Sequence, residues 1–406
     1  MENYTALIVL VSIGIGLLDL FTDRWPVLQR QLFPIMTIVL YSLFAVLYYY
    51  GPDIWTYVPF YENIRIPSYV WAHPEEYKTF EVGYNLFCSV LHQMGLSYWG
   101  MTVVIKTLYF TAIYLLIKQL PRRQLFALGA IVMFDCYLIM HETRQCLAVS
   151  FFIFTILLLQ YRHYLWAILC GVLTIAMHKS GFIPIGLLII GVFLYQARQQ
   201  AWIYTLFMVF LIAMVILPVQ SISTSILNLL PLPKSYIHSL THHLLLGRQF
   251  QMIALIYLSM LLILNVYVSY FKRSRYSWIT YMVLAGMGVI VVMYPYYFLL
   301  ARVRSYFIPL ILYYVFLLFG QSELSQIVPY NSLIKQTFML LIIAYFAHTT
   351  VSLERGARTL HSPVYRACTI FELRHSDQKH IRDRQMQTAY TYWTKDYMKS
   401  SDNKLK

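Results

Sequence analysis

The sequence predicts an all-α, polytopic membrane protein, and three observations carry that prediction. Of 406 residues, 59% are hydrophobic and 12% charged, about half the charge of an ordinary soluble domain. The mean hydropathy is +0.60. Apolar runs long enough for a helix to cross a hydrocarbon core of about 30 Å recur along the chain. A chain this poor in polar surface needs lipid as its solvent.

The apolar runs fall at residues 6–21, 33–50, 101–117, 125–140, 146–161, 164–177, 182–195, 203–219, 252–271, 279–297, 306–320 and 337–353. They make about twelve spans. The first follows Met1-Glu2-Asn3-Tyr4, which has neither a basic n-region nor a small-residue cleavage site, so it is expected to stay as an anchor. The net charge is +14. Its Lys and Arg sit in short loops and a polar tail rather than in the basic stripe that nucleic-acid binding requires, so nucleic acid is excluded as a partner. The expected contacts are the bilayer and its anionic head groups. Five cysteines, Cys88, Cys136, Cys146, Cys170 and Cys368, form no CxxC pair and no metal spacing.

One segment decides the orientation. Residues 84–96 are short and carry Asn85, His92 and Gln93, while Leu86, Phe87, Val90, Leu91 and Met94 share a helical face. That is the pattern of an interfacial helix lying along the membrane. If it does not cross, alternate loops carry Arg24 and Arg30; Lys118, Arg122 and Arg123; Arg162; Arg198; Lys272, Arg273 and Arg275; and Lys335. These loops hold almost no acid and read as cytoplasmic. The opposite loops hold Asp53, Glu62, Glu75, Glu76, Glu81 and Glu142. The expected organisation is a polytopic domain over 1–353, with outer loops at 51–100 and 220–251, then a basic tail at 354–406. The tail falls outside despite its eleven Lys and Arg residues; tails of this length are weak topology determinants.

Five polar clusters share the outer face. Asp53 and Tyr57 follow the second span; an acid at the lip of a membrane cavity suits a general base, and a helix cap equally. Glu81 and Asn85 open the interfacial segment, where Glu81 reads as a base or as a first-turn acid favoured by the helix dipole. His141, Arg144 and Gln145 lie between two apolar helices. His178 and Lys179 end a short span beside Gly181. Arg302 and Arg304 sit among tyrosines, of which the chain has 36. No metal-ligand pattern accompanies these residues, and no cofactor or metal is expected. Aromatic faces suit sugar rings, and Arg and Lys suit phosphates.

Taken in order, Gly51-x-Asp53-x-x-x-Tyr57, Glu81-x-Gly83-Tyr84-Asn85, Arg144-Gln145, His178-x-Ser180-Gly181 and Ala301-Arg302-x-Arg304-x-Tyr306-Phe307 resemble the EpsG family of Wzy-like polysaccharide polymerases. The likeness runs from the second span to about Arg366. It implies transfer of an undecaprenyl-pyrophosphate-linked oligosaccharide onto an acceptor repeat unit at the outer face of the bacterial cytoplasmic membrane, for exopolysaccharide, capsule or O-antigen, with other polysaccharide assembly proteins as candidate partners. Under that reading Asp53 or Glu81 is the catalytic base. Tyr57, Asn85, His141, Gln145, Arg144, His178, Lys179, Arg302 and Arg304 contact substrate, the cations at the pyrophosphate. The rivals are a membrane glycosyltransferase using a polyprenyl-phosphate sugar and a lipid-linked oligosaccharide transporter. A transporter predicts internal symmetry and broken helices at the midplane, whereas these charges gather at one face.

Overall fold

A computed structural model describes residues 4–22, 25–48, 54–196, 278–293 and 297–320, with residues 383, 386 and 387 of the tail. The expected spans at 203–219, 252–271 and 337–353, the loop at 220–251 and the rest of the tail lie outside the described residues, as does Asp53. The described chain is helical, without strands. It divides into two compact units, Met1–Gly181 with Val315–Lys406, and Phe182–Tyr314.

The first unit opens with α1 (Tyr4–Phe21) and α2 (Pro26–Ala45). The second run was expected from residue 33, but the helix starts at Pro26. Proline at the first position loses no hydrogen bond and arrives with its φ already helical. Short elements follow: α3 (Ile54–Glu62), α4 (Pro67–Ala72), a 3-10 turn at Pro74–Tyr77 and α5 (Val82–Gln93). Then come α6 (Tyr98–Ile117), α7 (Gln124–Phe134), α8 (Cys136–His141), α9 (Thr143–Gln160), α10 (Tyr164–Met177) and a 3-10 turn at Lys179–Gly181. The second unit contains α11 (Phe182–Gln196), α12 (Trp278–Met293) and most of α13 (Tyr297–Gly320). Four described helices are long and apolar enough to cross a membrane: α1, α2 from Val27, α6 and α9.

Three buried polar devices hold the first unit together. The last carbonyls of α2 have no partner within the helix. They are met instead by Tyr4 Oη on Leu43 O at 2.5 Å, Lys106 Nζ on Phe44 O at 2.8 Å and Trp99 Nε1 on Ala45 O at 3.1 Å. At the other end of α2, fully buried Asp19 accepts from Gln29 Nε2 at 3.3 Å and pairs with Arg123 Nη1 at 3.3 Å. This ties α1, α2 and the α6–α7 turn, where Arg123 adopts φ 66°. Finally, the single run expected at 125–140 is broken at Asp135, which leaves helical geometry between α7 and α8. The Tyr109 hydroxyl donates to the buried Asp135 carboxylate from α6.

The segment expected to lie along the membrane is α5, twelve residues long. Glu81, just before it, meets the start of α9, and Leu96, just after it, accepts from Tyr61 of α3 at 2.9 Å. In the second unit, α11 and α12 touch at Gly191, where an added Cβ would fall 2.7 Å from Met282 Cα. Gly286 of α12 lies against the Phe307 ring of α13. Arg302 and Arg304 were expected at a membrane edge; they lie inside α13, which begins nine residues before the expected 306.

Candidate active site

Arg144 is the second residue of α9, where the helix macrodipole disfavours a cation. Something else must hold it. Its Nη1 donates to Glu81 Oε2 at 2.6 Å and its Nε to the Tyr57 hydroxyl at 2.6 Å. The guanidinium carbon lies 4.6 Å from the Phe80 ring centroid, and Phe80 stacks on Tyr57 at 4.8 Å. The aromatic pair and the carboxylate fix the guanidinium plane, so the arginine is oriented before any ligand arrives. Two of the five N–H donors of a guanidinium are thus engaged, and the side chain keeps 20% of its surface exposed.

Glu81 occupies the N-cap position of α5 but makes no capping bond with its side chain. Its carboxylate faces away from its own helix. Besides Arg144 it accepts the Lys179 backbone N–H on Oε1 at 3.1 Å. Burial pushes the Glu81 carboxyl up, but the Arg144 guanidinium, the His178 ring and the Lys179 N–H together outweigh it and hold the group below its usual 4.5. A depressed carboxylate with both oxygens engaged is a weak proton acceptor. Its geometry is that of a strut.

The third wall is the turn after α10. The Ser180 backbone N–H donates to His178 Nδ1 at 3.1 Å, and Ser180 Oγ lies 2.6 Å from the same nitrogen. An accepting Nδ1 leaves the ring proton of the neutral imidazole on Nε2. Lys179 is exposed. Gly83 lets this wall close: an added Cβ would meet Ala176 Cβ at 2.6 Å and Ala176 O at 2.8 Å. Gly83→Ala is therefore expected to push α5 off α10, costing about 1–3 kcal/mol as other overpacked sites do. A lower melting midpoint in detergent, with reduced activity, is the readout; wild-type values would mean that α5 and α10 part freely.

The other expected contacts are placed differently. Asn85 is 2% exposed and donates to Tyr77 O at 2.9 Å and Phe80 O at 3.2 Å. It therefore ties the preceding loop to α5 and positions Phe80. His141 is buried against Tyr137, ring to ring at 4.5 Å, and Gln145 is buried beside Arg144 in sequence. Arg302 and Arg304 belong to the second unit. Among the described residues no group of His, Cys, Asp and Glu converges as metal ligands. Phe80 escaped the sequence reading, although its place one residue before Glu81 was the available signal.

A family model described as the EpsG family matches residues 31–357. The chain belongs to the EpsG family. EpsG proteins are Wzy-like polymerases of polysaccharide biosynthesis, so the chain is a membrane protein of polymerase type. The EpsG match includes every candidate residue from Asp53 to Arg304. No curated protein and no solved structure matches the chain.

Proposed function

We propose that this protein joins undecaprenyl-pyrophosphate-linked oligosaccharide repeat units at the outer face of the bacterial cytoplasmic membrane. The observation that supports this most is the oriented Arg144, held by Tyr57 and Glu81 beside the His178–Lys179 turn. In the reaction an acceptor hydroxyl oxygen attacks the sugar carbon bonded to pyrophosphate. The carbon–oxygen bond to the lipid pyrophosphate breaks, and the hydroxyl proton passes to a base. Negative charge grows on the departing pyrophosphate, where preorganised cations stabilise it. Arg144 supplies a planar fork suited to two phosphate oxygens, Lys179 adds a second cation, and the Nε2–H of His178 can donate. Glu81 positions Arg144. The base role then falls to Asp53, which in sequence immediately precedes α3 and its Tyr57.

Purified protein in liposomes, given lipid-linked repeat units, is expected to produce a ladder of longer lipid-linked chains. Movement of single repeats across the bilayer without a ladder would replace this reading with transport. The outer-face assignment has its own test in a cysteine-free background on intact spheroplasts. Glu142→Cys should react with an impermeant thiol reagent, and Gln124→Cys should not. The reverse pattern would put the site in the cytoplasm, away from the proposed substrates.

A further inference from the structure

A cavity lies at the opposite end of α5 from Glu81. Its volume is about 430 Å³, and Ile64, Arg65, Ile66, Tyr69, His92 and Gln93 line it. That volume is in the range of small-molecule sites. From Glu81 to His92 the helix advances about 16 Å at 1.5 Å per residue, so this cavity is separate from the Arg144 cluster. Its lining surface is almost entirely apolar, and Arg65 and His92 are the lining residues that carry basic groups. Ile64 forms an apolar wall and is 4% exposed, while Arg65 sits at the edge with its guanidinium carbon 4.3 Å from the centroid of Tyr69. His92 approaches from α5, its ring edge-on to Tyr61 at 5.4 Å.

The surroundings point to the phase that the cavity faces. Ile66, Trp71, Val90 and Met94 border it in sequence and are 52%, 69%, 45% and 70% exposed. Large apolar side chains grouped this way are characteristic of a surface resting in the lipid interface, with tryptophan at head-group level. An arginine beside an aliphatic wall at that depth meets the two halves of an amphiphile together, a phosphate and the start of its chain.

We propose that this cavity binds a phosphate-headed lipid, with the phosphate at Arg65 and His92 and the first carbons of the chain against Ile64 and Ile66. The described hydrogen bonds of Arg65 come from its backbone, and its guanidinium rests on the Tyr69 ring. Arg65 O accepts from Ser89 Oγ, and its N–H donates to the Tyr77 hydroxyl at 3.4 Å. Removing the side chain leaves both bonds in place.

Full-length protein in detergent micelles, titrated with lipid and followed by native mass spectrometry, tests this. The probes are undecaprenyl phosphate, phosphatidylglycerol and, as an uncharged control, diacylglycerol. Arg65→Ala should weaken binding of one phosphate-lipid copy by about tenfold or more, the range for losing a hydrogen bond to a charged group. Arg65→Lys should lose less, and His92→Ala should weaken the same copy through the other wall. Arg144→Ala should leave that copy bound, which separates this cavity from the proposed pyrophosphate site. Preference for undecaprenyl phosphate would make the cavity a substrate subsite, and preference for phosphatidylglycerol a structural lipid site. Unchanged binding in both Arg65→Ala and His92→Ala, or equal binding of diacylglycerol, would overturn the proposal.

Discussion

Replacing Arg144 by lysine is expected to reduce polymer formation nearly as far as replacing it by alanine. The guanidinium serves two partners on different edges, Tyr57 through Nε and Glu81 through Nη1, while its face lies over Phe80. A lysine ammonium is a point donor on a flexible stem; it keeps the charge and loses the fork and the stacking. Alanine removes the charge as well, leaving Glu81, 9% exposed, without its cation. Breaking one side of a buried pair costs on the order of 3–5 kcal/mol, so Arg144→Ala should also melt earlier. The measurement is the ladder of lipid-linked products beside a thermal melt for each variant. Wild-type ladders from Arg144→Lys would reduce Arg144 to a generic positive charge.

Asp53→Asn and Glu81→Gln are expected to fail in different ways. If Asp53 takes the proton, Asp53→Asn should keep the wild-type melting midpoint and lose about 10²–10⁴-fold in turnover, the usual contribution of a general base. Lipid-linked single repeats should accumulate. Glu81→Gln should lose both activity and stability, because the amide cannot neutralise Arg144. The pH dependence of that stability has a definite sign. The folded carboxyl of Glu81 is held below its usual 4.5, so the group binds fewer protons folded than unfolded. Its stabilisation is fully present above the unfolded value and is lost as pH falls through the folded one. The gap in melting midpoint between wild type and Glu81→Gln should hold steady from pH 8 to about pH 5 and close below the usual carboxylate range. Long-chain polymer from a well-expressed Asp53→Asn protein would remove Asp53 from the mechanism. An unchanged melt with lost turnover in Glu81→Gln would return the base role to Glu81.

Periodicity in the sequence exposed the helices because apolar runs and their breaks are local properties. It placed α1, α6, α9 and α10 within a few residues and recognised α5 as a short amphipathic element. It misread α7–α8 as one helix because the break at Asp135 is stabilised by Tyr109, 26 positions away. Likewise Pro26 and Pro34 did not stop α2, since a first-turn proline is compatible with a helix and the tertiary setting accommodates the second. Lys106 passed unremarked inside an apolar run; only the fold reveals that it meets an end carbonyl of α2. The candidate site was half legible. Tyr57, Glu81, Arg144, His178 and Lys179 are all legible as candidates, but in four separate clusters with no contact between them specified. That Glu81 faces Arg144 across 63 positions, and so acts as a strut, depends on the close approach at Gly83. No spacing rule encodes that distance.

The length of α10 has a consequence for the lipid around it. It runs antiparallel beside α9 with fourteen residues to α9's eighteen, and so rises about 21 Å against about 27 Å. One flank carries the exposed side chains Leu165, Trp166, Ile168, Leu169 and Val172. Acyl chains that wet this flank meet a wall shorter than the usual hydrocarbon thickness of about 30 Å, and such mismatch is relieved by local thinning. Thinning where α10 ends would fall beside Glu81 and Arg144 and, under the proposed function, would bring the head group of a lipid-linked substrate nearer the cation. Reconstitution into shorter-chain lipids is then expected to favour turnover over reconstitution into longer ones.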